Sequence, residues 1–259
     1  MSTEPRLFLD LPLAAGTRLP LPREAAHYLL TVLRRKAGQG VRIFNGREGE
    51  WRALITEAGR RDAVLEIEKQ LREQVAAPDL LLLFAPVKKA KTDLVLEKAA
   101  ELGAAAIQPV LTERSQTDRV NLERFEAIVR EAAEQTERLD LPEVRPLVKL
   151  DQALDGWEAG RPLFYCDEAG DDPDEAWGGA RGRARPMAQA LAASDAGKAA
   201  ILVGPEGGFT PAERDRLRDL DFCHAVGLGP RILRAETAAI AAMTLWQAFR
   251  GDWGGVTSA

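Results

Sequence analysis

Apolar and polar positions alternate with two different periods along this chain, and the change falls near residue 77. Before it, RLFLD (6–10), residues 38–58 and DAVLEIEKQ (62–70) repeat every second residue, the mark of half-buried strands. Glycine-containing turns such as Asn45-Gly46 separate them. One helix is expected at residues 24–36 (EAAHYLLTVLRRK), where Ala26, Leu29, Leu30 and Leu33 share a face and Gly38 follows as a stop. Residues 72–80 (REQVAAPDL) read as a linker, because Pro78 interrupts either period.

Beyond the linker, continuous apolar runs alternate with amphipathic stretches. LLLLFAPV (80–87), AIQPVL (106–111), PLFYCDE (162–168), AAILVG (199–204) and HAVGLG (224–229) predict strands, most of them buried on both faces. EVRPLVKL (143–150) is a weaker strand pattern. KTDLVLEKAAELG (91–103) predicts a helix closed by Gly103, and residues 121–138 a longer one with Asn121 as N-cap. Strand–helix alternation of this kind builds a parallel sheet covered by helices. Two domains are therefore expected, at residues 1–76 and 77–259.

Composition narrows the class. The chain has 259 residues, 46% hydrophobic and 29% charged, which suits a soluble globular protein. No apolar leader or run of membrane-spanning length occurs, and Cys166 and Cys223 have neither metal nor disulfide spacing, so a cytoplasmic, metal-free, membrane-free protein is expected. The acidic run Asp171, Asp172, Asp174 and Glu175 lies in a glycine-rich segment, 170–183, whose spacing fits a solvated loop rather than a calcium site. The net charge of −5 argues against a general polyanion-binding surface, yet residues 1–76 carry 13 Lys+Arg against 10 Asp+Glu, while the remainder carries 22 against 30. Nucleic acid, if bound, is better placed on the amino-terminal part.

Candidate chemistry concentrates in two glycine-rich turns. ILVGPEGGFTPAE (201–213) joins a buried strand to a helix through Gly204, Pro205, Glu206, Gly207 and Gly208, with Thr210, Pro211 and Glu213 forming a capping-box pattern. Glycines there permit positive φ and close approach of a ligand to the backbone. Glu206, which would repel phosphate, and the missing lysine argue against a phosphate-binding loop, and a generic tight turn is the other reading of this stretch taken alone. The second turn, VGLGPRILRAETAAIAA (226–242), places Leu228, Gly229, Ile232, Leu233 and Ala238 near Arg231 and Arg234, ahead of an alanine-rich helix. Two such turns at strand ends make a cleft largely of backbone, suited to a flat heterocycle rather than a metal.

LVGPEGGF (202–209) followed by LGPRILRAETA (228–238) resembles the RsmE family of SPOUT methyltransferases, and the resemblance extends over nearly the whole chain. APVKKAKTDLVLEKAAELGAAAIQPVLTERSQ (85–116), EAAEQTER (131–138), HYLLTVLR (27–34) and RLF (6–8) match in the same order. The resemblance implies an α/β fold with a SPOUT-type parallel sheet and carboxyl-terminal trefoil knot, plus a small amino-terminal PUA-like β-barrel. It implies a homodimer that moves the methyl of S-adenosylmethionine onto N3 of a uridine in 16S ribosomal RNA, as free RNA or in the small ribosomal subunit. Cofactor contacts then fall on Gly204, Pro205, Glu206, Gly207, Gly208, Leu228, Gly229, Ile232, Leu233 and Ala238. Arg234 is the candidate for stabilising the uridine anion, with a structural ion pair as its other reading, and Glu236 or Glu206 for accepting a proton. Arg6, His27, Arg34, Arg35, Lys36 and Arg114 are candidates for RNA contact, although His27 also fits a packed helix position and Arg34-Arg35-Lys36 a solvated helix end.

Other readings make different demands. A SPOUT ribose 2′-O-methyltransferase acting on rRNA or tRNA shares GPEGG but carries an Asn-Val-Ser type segment where this chain has ILRAETA. A non-catalytic ribosome-assembly factor needs no cofactor turns, and a nucleotide hydrolase needs a phosphate-binding lysine motif that is missing.

Overall fold

The computed structural model describes residues 4–167, 184–194 and 197–253. By its contacts the chain forms one unit of Met1–Ala76 with Ala133–Leu141, and a second of Ala77–Ala132 with Pro142–Ala259. The acidic glycine-rich segment 170–183 lies outside the described residues.

The first unit contains β1 (Arg6–Phe8), β2 (Arg18–Pro20), α1 (Arg23–His27), β3 (Gly40–Phe44), β4 (Glu50–Ala58) and β5 (Ala63–Arg72). Its sheet runs β1-β3-β4-β5-β2, with β1 parallel to β3 and the other pairs antiparallel. Register shifts at three points between β4 and β5 bend this long hairpin. Its inward residues, among them Leu7, Leu19, Val41, Ile43, Ile55, Leu65 and Ile67, pack on Ala26 and Leu29 as a separate core. Period-two alternation dictates that result.

The expected helix over 24–36 is shorter and changes its winding. Tyr28–Val32 form a π-helical turn in which Leu33 N donates to Tyr28 O at 2.9 Å. Arg34 then takes φ +53°, so the helix ends before the basic cluster. Gly38 belongs instead to the next turn, where its N–H reaches Ile55 O at 2.8 Å.

Segment 133–141 joins this unit because its carbonyls find donors there. Arg6 donates to Ala133 O (2.8 Å), Glu134 O (3.0 Å) and Arg138 O (2.7 Å), and Arg72 to Glu137 O (2.8 Å). Arg6 was an RNA-contact candidate, and the structure corrects that. It is 8% exposed, pairs with the fully buried Glu50 at 2.6 Å, and lies over the Phe44 ring. None of its charge is left for phosphate.

The second unit contains β6 (Asp79–Phe84), α2 (Lys89–Glu101), β7 (Ala106–Leu111), α3 (Leu122–Gln135), β8 (Glu143–Val144), β9 (Val148–Lys149), α4 (Leu150–Leu154), β10 (Leu163–Cys166), β11 (Arg185–Pro186), α5 (Met187–Ala192), β12 (Lys198–Val203), α6 (Pro211–Arg218), β13 (Cys223–Gly227) and α7 (Ala235–Phe249). The sheet order is β11-β13-β10-β12-β6-β7-β8, every pair is parallel, and β9 also pairs with β7. Alternate side chains enter opposite cores. Leu80, Leu82, Phe84, Ile201 and Val203 face α2, α5 and α7, whereas Leu81, Leu83, Ala200 and Leu202 face α4 and α6. The weak pattern at 143–150 becomes β8 and β9, and Asn121 caps α3 by accepting from Arg124 N at 2.9 Å.

Glu50 is the electrostatic centre of the first unit. It accepts from Arg6, Arg42 (2.5 Å) and Arg72 (2.9 Å). Burial raises its carboxyl, but hydrogen bonds from Arg72 and Arg6 outweigh that and hold it below the usual range. The stabilisation is therefore present above the unfolded value of about 4.3 and lost as pH falls through the lower folded value. Glu50→Ala would strand buried guanidinium charge and is expected to cost about 3–5 kcal/mol. Hydrogen exchange of the β3–β5 amides checks this, and unchanged protection would refute it.

Candidate functional site

The strands β6, β10, β12 and β13 end on the same side of the sheet, as parallel strands must, and their following loops converge. Open α/β sheets bind ligands in crevices outside the carboxyl ends of strands. A cavity of about 600 Å³ lies there, lined by Lys88 and Lys91 after β6, Cys166 and Asp167 after β10, Gly204–Phe209 after β12, and Ile232–Ala235 with Ala238. A smaller recess continues from Cys166 and Asp167 to Leu228, Gly229, Arg231 and Leu233. A second crevice of about 860 Å³ beside Glu113, Gln116, Lys149 and Arg216 contains none of the glycine-turn residues.

The first glycine turn is fixed from both ends. Gly208 has φ +67°, which favours glycine, whereas Gly204 and Gly207 do not have positive φ, contrary to expectation. Gly204 is required for a different reason, since a Cβ there would meet the Phe209 ring at 3.0 Å. The capping box is formed: Thr210 N donates to Glu213 Oε2 at 2.9 Å, and Glu213 N to Thr210 Oγ1 at 3.3 Å. The other oxygen of Glu213 accepts from Glu113 N at 2.8 Å, and Arg114 donates to Gly207 O at 2.8 Å. Glu113 and Arg114 thus tie the loop after β7 to the glycine turn.

Charged groups occupy rim and floor. Lys91 hydrogen-bonds Glu206, and its hydrogen bond and charge hold the Glu206 carboxyl below the usual range. Lys91 also stands 3.8 Å from Glu236. Glu236 does not line the cavity, and its Oε2 is buried without a hydrogen-bond partner among the described residues. Arg234 lines the cavity and is exposed, its guanidinium makes no ion pair among the described residues, and its charge also helps to lower the Glu206 carboxyl. On the floor, Asp167 receives Arg214 at 3.1 Å and Arg218 at 3.2 Å. Tyr165 beneath them is pushed up to about 12, chiefly by burial and then by Asp167.

The cavity and its recess therefore bring together Gly204, Pro205, Glu206, Gly207, Gly208, Leu228, Gly229, Ile232, Leu233, Arg234, Ala238 and Arg114. Ile232 is 73% exposed at the mouth. Within the first unit His27, Arg34 and Lys36 are exposed and Arg35 is half-buried, so His27 is not a packed position. Lys88, Lys91, Asp167 and Arg214 were missed. Lys88-Lys89-Ala90-Lys91 directly after a buried strand was the signal for the first two, because it sits at the same strand-end position as the glycine turns.

Glycine-lined strand ends closing one crevice define a ligand-binding α/β protein. The family described as RNA methyltransferase domain matches residues 75–247, and that described as RNA methyltransferase PUA domain matches residues 21–68. The chain is 33% identical to the ribosomal RNA small subunit methyltransferase E of Rickettsia conorii over 92% of this chain and 93% of the relative. It is also 33% identical to that of Synechocystis sp., over 84% of this chain and 68% of the relative. Among solved structures, ribosomal RNA small subunit methyltransferase E from Neisseria gonorrhoeae, bound to S-adenosyl methionine, superposes with a TM-score of 0.79 at 30% identity, covering 96% of this chain and 99% of that one. The chain belongs to this RNA methyltransferase family, alongside the ribosomal RNA small subunit methyltransferase E proteins.

Glu213 supports both cavity turns at once. Glu213→Ala is expected to destabilise the second unit by about 1 kcal/mol, the usual cost of a lost helix cap. Amide exchange should quicken at Glu113 and Thr210 together, and acceleration at Thr210 alone would show that the bridge to Glu113 is idle.

Proposed function

We propose that this chain transfers the methyl group of S-adenosylmethionine to N3 of a uridine in small-subunit 16S ribosomal RNA, in the cytoplasm. The observation that carries the reading is the crevice of backbone and apolar side chains with Arg234, which makes no ion pair among the described residues, on its wall. Its volume of about 600 Å³ and mixed lining suit a nucleoside cofactor. The cofactor's binding residues are then the glycine turn Gly204–Gly208 and Leu228, Gly229, Ile232, Leu233 and Ala238. Bound there, it supplies an electrophilic sulfonium methyl group.

The chain's own task is to present N3 as a nucleophile. Uridine N3 is unreactive while protonated, so groups that favour its anion raise the rate. Arg234 places positive charge where O2 or O4 of the anion develops charge, and Lys91 adds to the field. Glu206 lines the cavity whereas Glu236 does not, so Glu206 is assigned as proton acceptor, through the oxygen that Lys91 leaves open. Its low basicity leaves most of the work to Arg234. Pairing and stacking hide N3 in folded RNA, so the base must be splayed out to enter the crevice.

In this reading the carboxyl-terminal segment threads as a trefoil knot and the protein is a homodimer. The order β13-β10-β12, which returns the last strand beside β10 before α7, supports the threading. Exposed Phe249 (44%) and Trp253 (52%) at the end of α7 support a partner surface, and a monomer in sedimentation would remove it.

Mass mapping of ribosomal RNA from cells lacking the protein should lose one methylated uridine. Wild-type protein should restore it, whereas Arg234→Ala should fail while folding normally; restoration by Arg234→Ala removes Arg234 from the mechanism. Serine in place of Arg34, Arg35 and Lys36 together should weaken RNA binding and flatten its salt dependence by up to about three phosphate contacts, without changing cofactor affinity. An unchanged salt slope would place the RNA contacts elsewhere.

A further inference from the structure

Two carboxylates compete for one ammonium at the rim of the crevice, and only one of them has been given a task. Lys91, in the first turn of α2, hydrogen-bonds Oε1 of Glu206 in the turn after β12. Its Nζ also stands 3.8 Å from Oε1 of Glu236, in the first turn of α7. Glu206 lines the cavity and Glu236 does not; their side chains are 30% and 13% exposed. The second oxygen of Glu236, Oε2, is buried without a hydrogen-bond partner among the described residues.

An ammonium with both carboxylates in reach would gain more from the buried one, because water screens that pair less. Lys91 closes on the exposed one instead. Glu236 is left beyond hydrogen-bonding distance but within reach of a side-chain shift of about 1 Å. The amino-terminal end of α7 favours negative charge at that position.

The arrangement matters once Glu206 takes a proton. A carboxylate held by an ammonium is a weak base, since protonation forfeits their charge interaction. A second carboxylate beside the same ammonium recovers what is forfeited. The other charged groups lining the cavity are Lys88, Arg114, Asp167, Arg214 and Arg234. None of them hydrogen-bonds Glu206 among the described residues, so Lys91 is the group that its protonation releases.

We infer that Glu236 is a positioning residue that acts through Lys91: it receives the ammonium as Glu206 accepts the N3 proton, and returns it when that proton leaves. The inference rests on the proposed function, which makes Glu206 the acceptor. The N3–H bond breaks with its electron pair left on N3, and the proton bonds Oε2 of Glu206 before passing to water. Lys91 keeps its own protons throughout.

Glu236→Gln keeps the shape of the side chain and removes the charge that receives Lys91. On small ribosomal subunits from cells lacking the protein, its single-turnover methylation rate should fall at least about tenfold, the factor one charge-assisted hydrogen bond supplies. Half-saturation by subunits and affinity for S-adenosylmethionine should stay within about twofold of wild type. In a Lys91→Met background the same substitution should change the rate by less than about twofold, because no ammonium remains to be received. An unchanged rate in Glu236→Gln overturns the inference. So does an equal fall with and without Lys91, which would make Glu236 a mere support for α7. Lys91→Met should also raise the titration of the Glu206 carboxyl, followed by carbon NMR, since the hydrogen bond and charge of Lys91 chiefly lower it. An unmoved titration overturns the inference even if Glu236→Gln does not fold. Wild-type protein that methylates no uridine overturns the proposed function instead.

Discussion

A parallel sheet covered by helices on both faces has its backbone groups bonded along each strand and releases them only where strands end. That constraint governs the second unit. Leu80, Leu82 and Phe84 enter one core and Leu81 and Leu83 the other, so a slip of one residue in β6 would exchange the two sets. Register is therefore held by both cores at once. The loops after β6, β10, β12 and β13 inherit that precision, and the crevice they form is as well placed as the sheet beneath it. Glu213 and Arg114 then fix one of these loops against another, leaving the glycine turn little freedom despite its composition.

Carboxylates in this chain occupy three electrostatic settings. Glu50 is fully buried with Arg6, Arg42 and Arg72 around it, both of its oxygens used, and it works as structure. Glu206 stands at the crevice rim against Lys91, where it stays ionised and accessible. Asp167 is 3% exposed at the floor of the crevice, where Arg214 and Arg218 both reach its Oδ2. Charge and burial alone do not separate the structural case from the last one. Position does, since Asp167 lines the cavity and Glu50 does not.

Local patterns were the legible part of the sequence. The capping box at Thr210–Glu213, the Asn121 cap and the buried strands all follow from residues within a few positions of one another, and the glycine turn announced itself by composition. Arg6 was misread because its partners, Glu50 and the carbonyls of 133–138, are far away in sequence. For the same reason nothing local marks residues 133–141 as belonging to the first unit. The helix at 24–36 satisfied its spacing rule, but spacing does not distinguish an α-turn from the π-turn at Tyr28–Val32. Asp167 and Arg214, 47 positions apart, could be joined only by the fold.

A buried carboxylate oxygen without a hydrogen-bond partner among the described residues occurs both on Asp93, away from the crevice, and on Glu236, 3.8 Å from Lys91. The Glu50 cluster is saturated although it brings several charges together. At the crevice, Arg234 makes no ion pair among the described residues and Glu236 Oε2 is buried without a donor among them. Glu206 and Asp167 put negative charge on the lining of the crevice and Lys88, Lys91, Arg214 and Arg234 positive charge, so the lining carries both signs. A phosphate would answer the cations and repel Asp167 and Glu206. The cationic sulfonium of S-adenosylmethionine is not repelled by those two carboxylates.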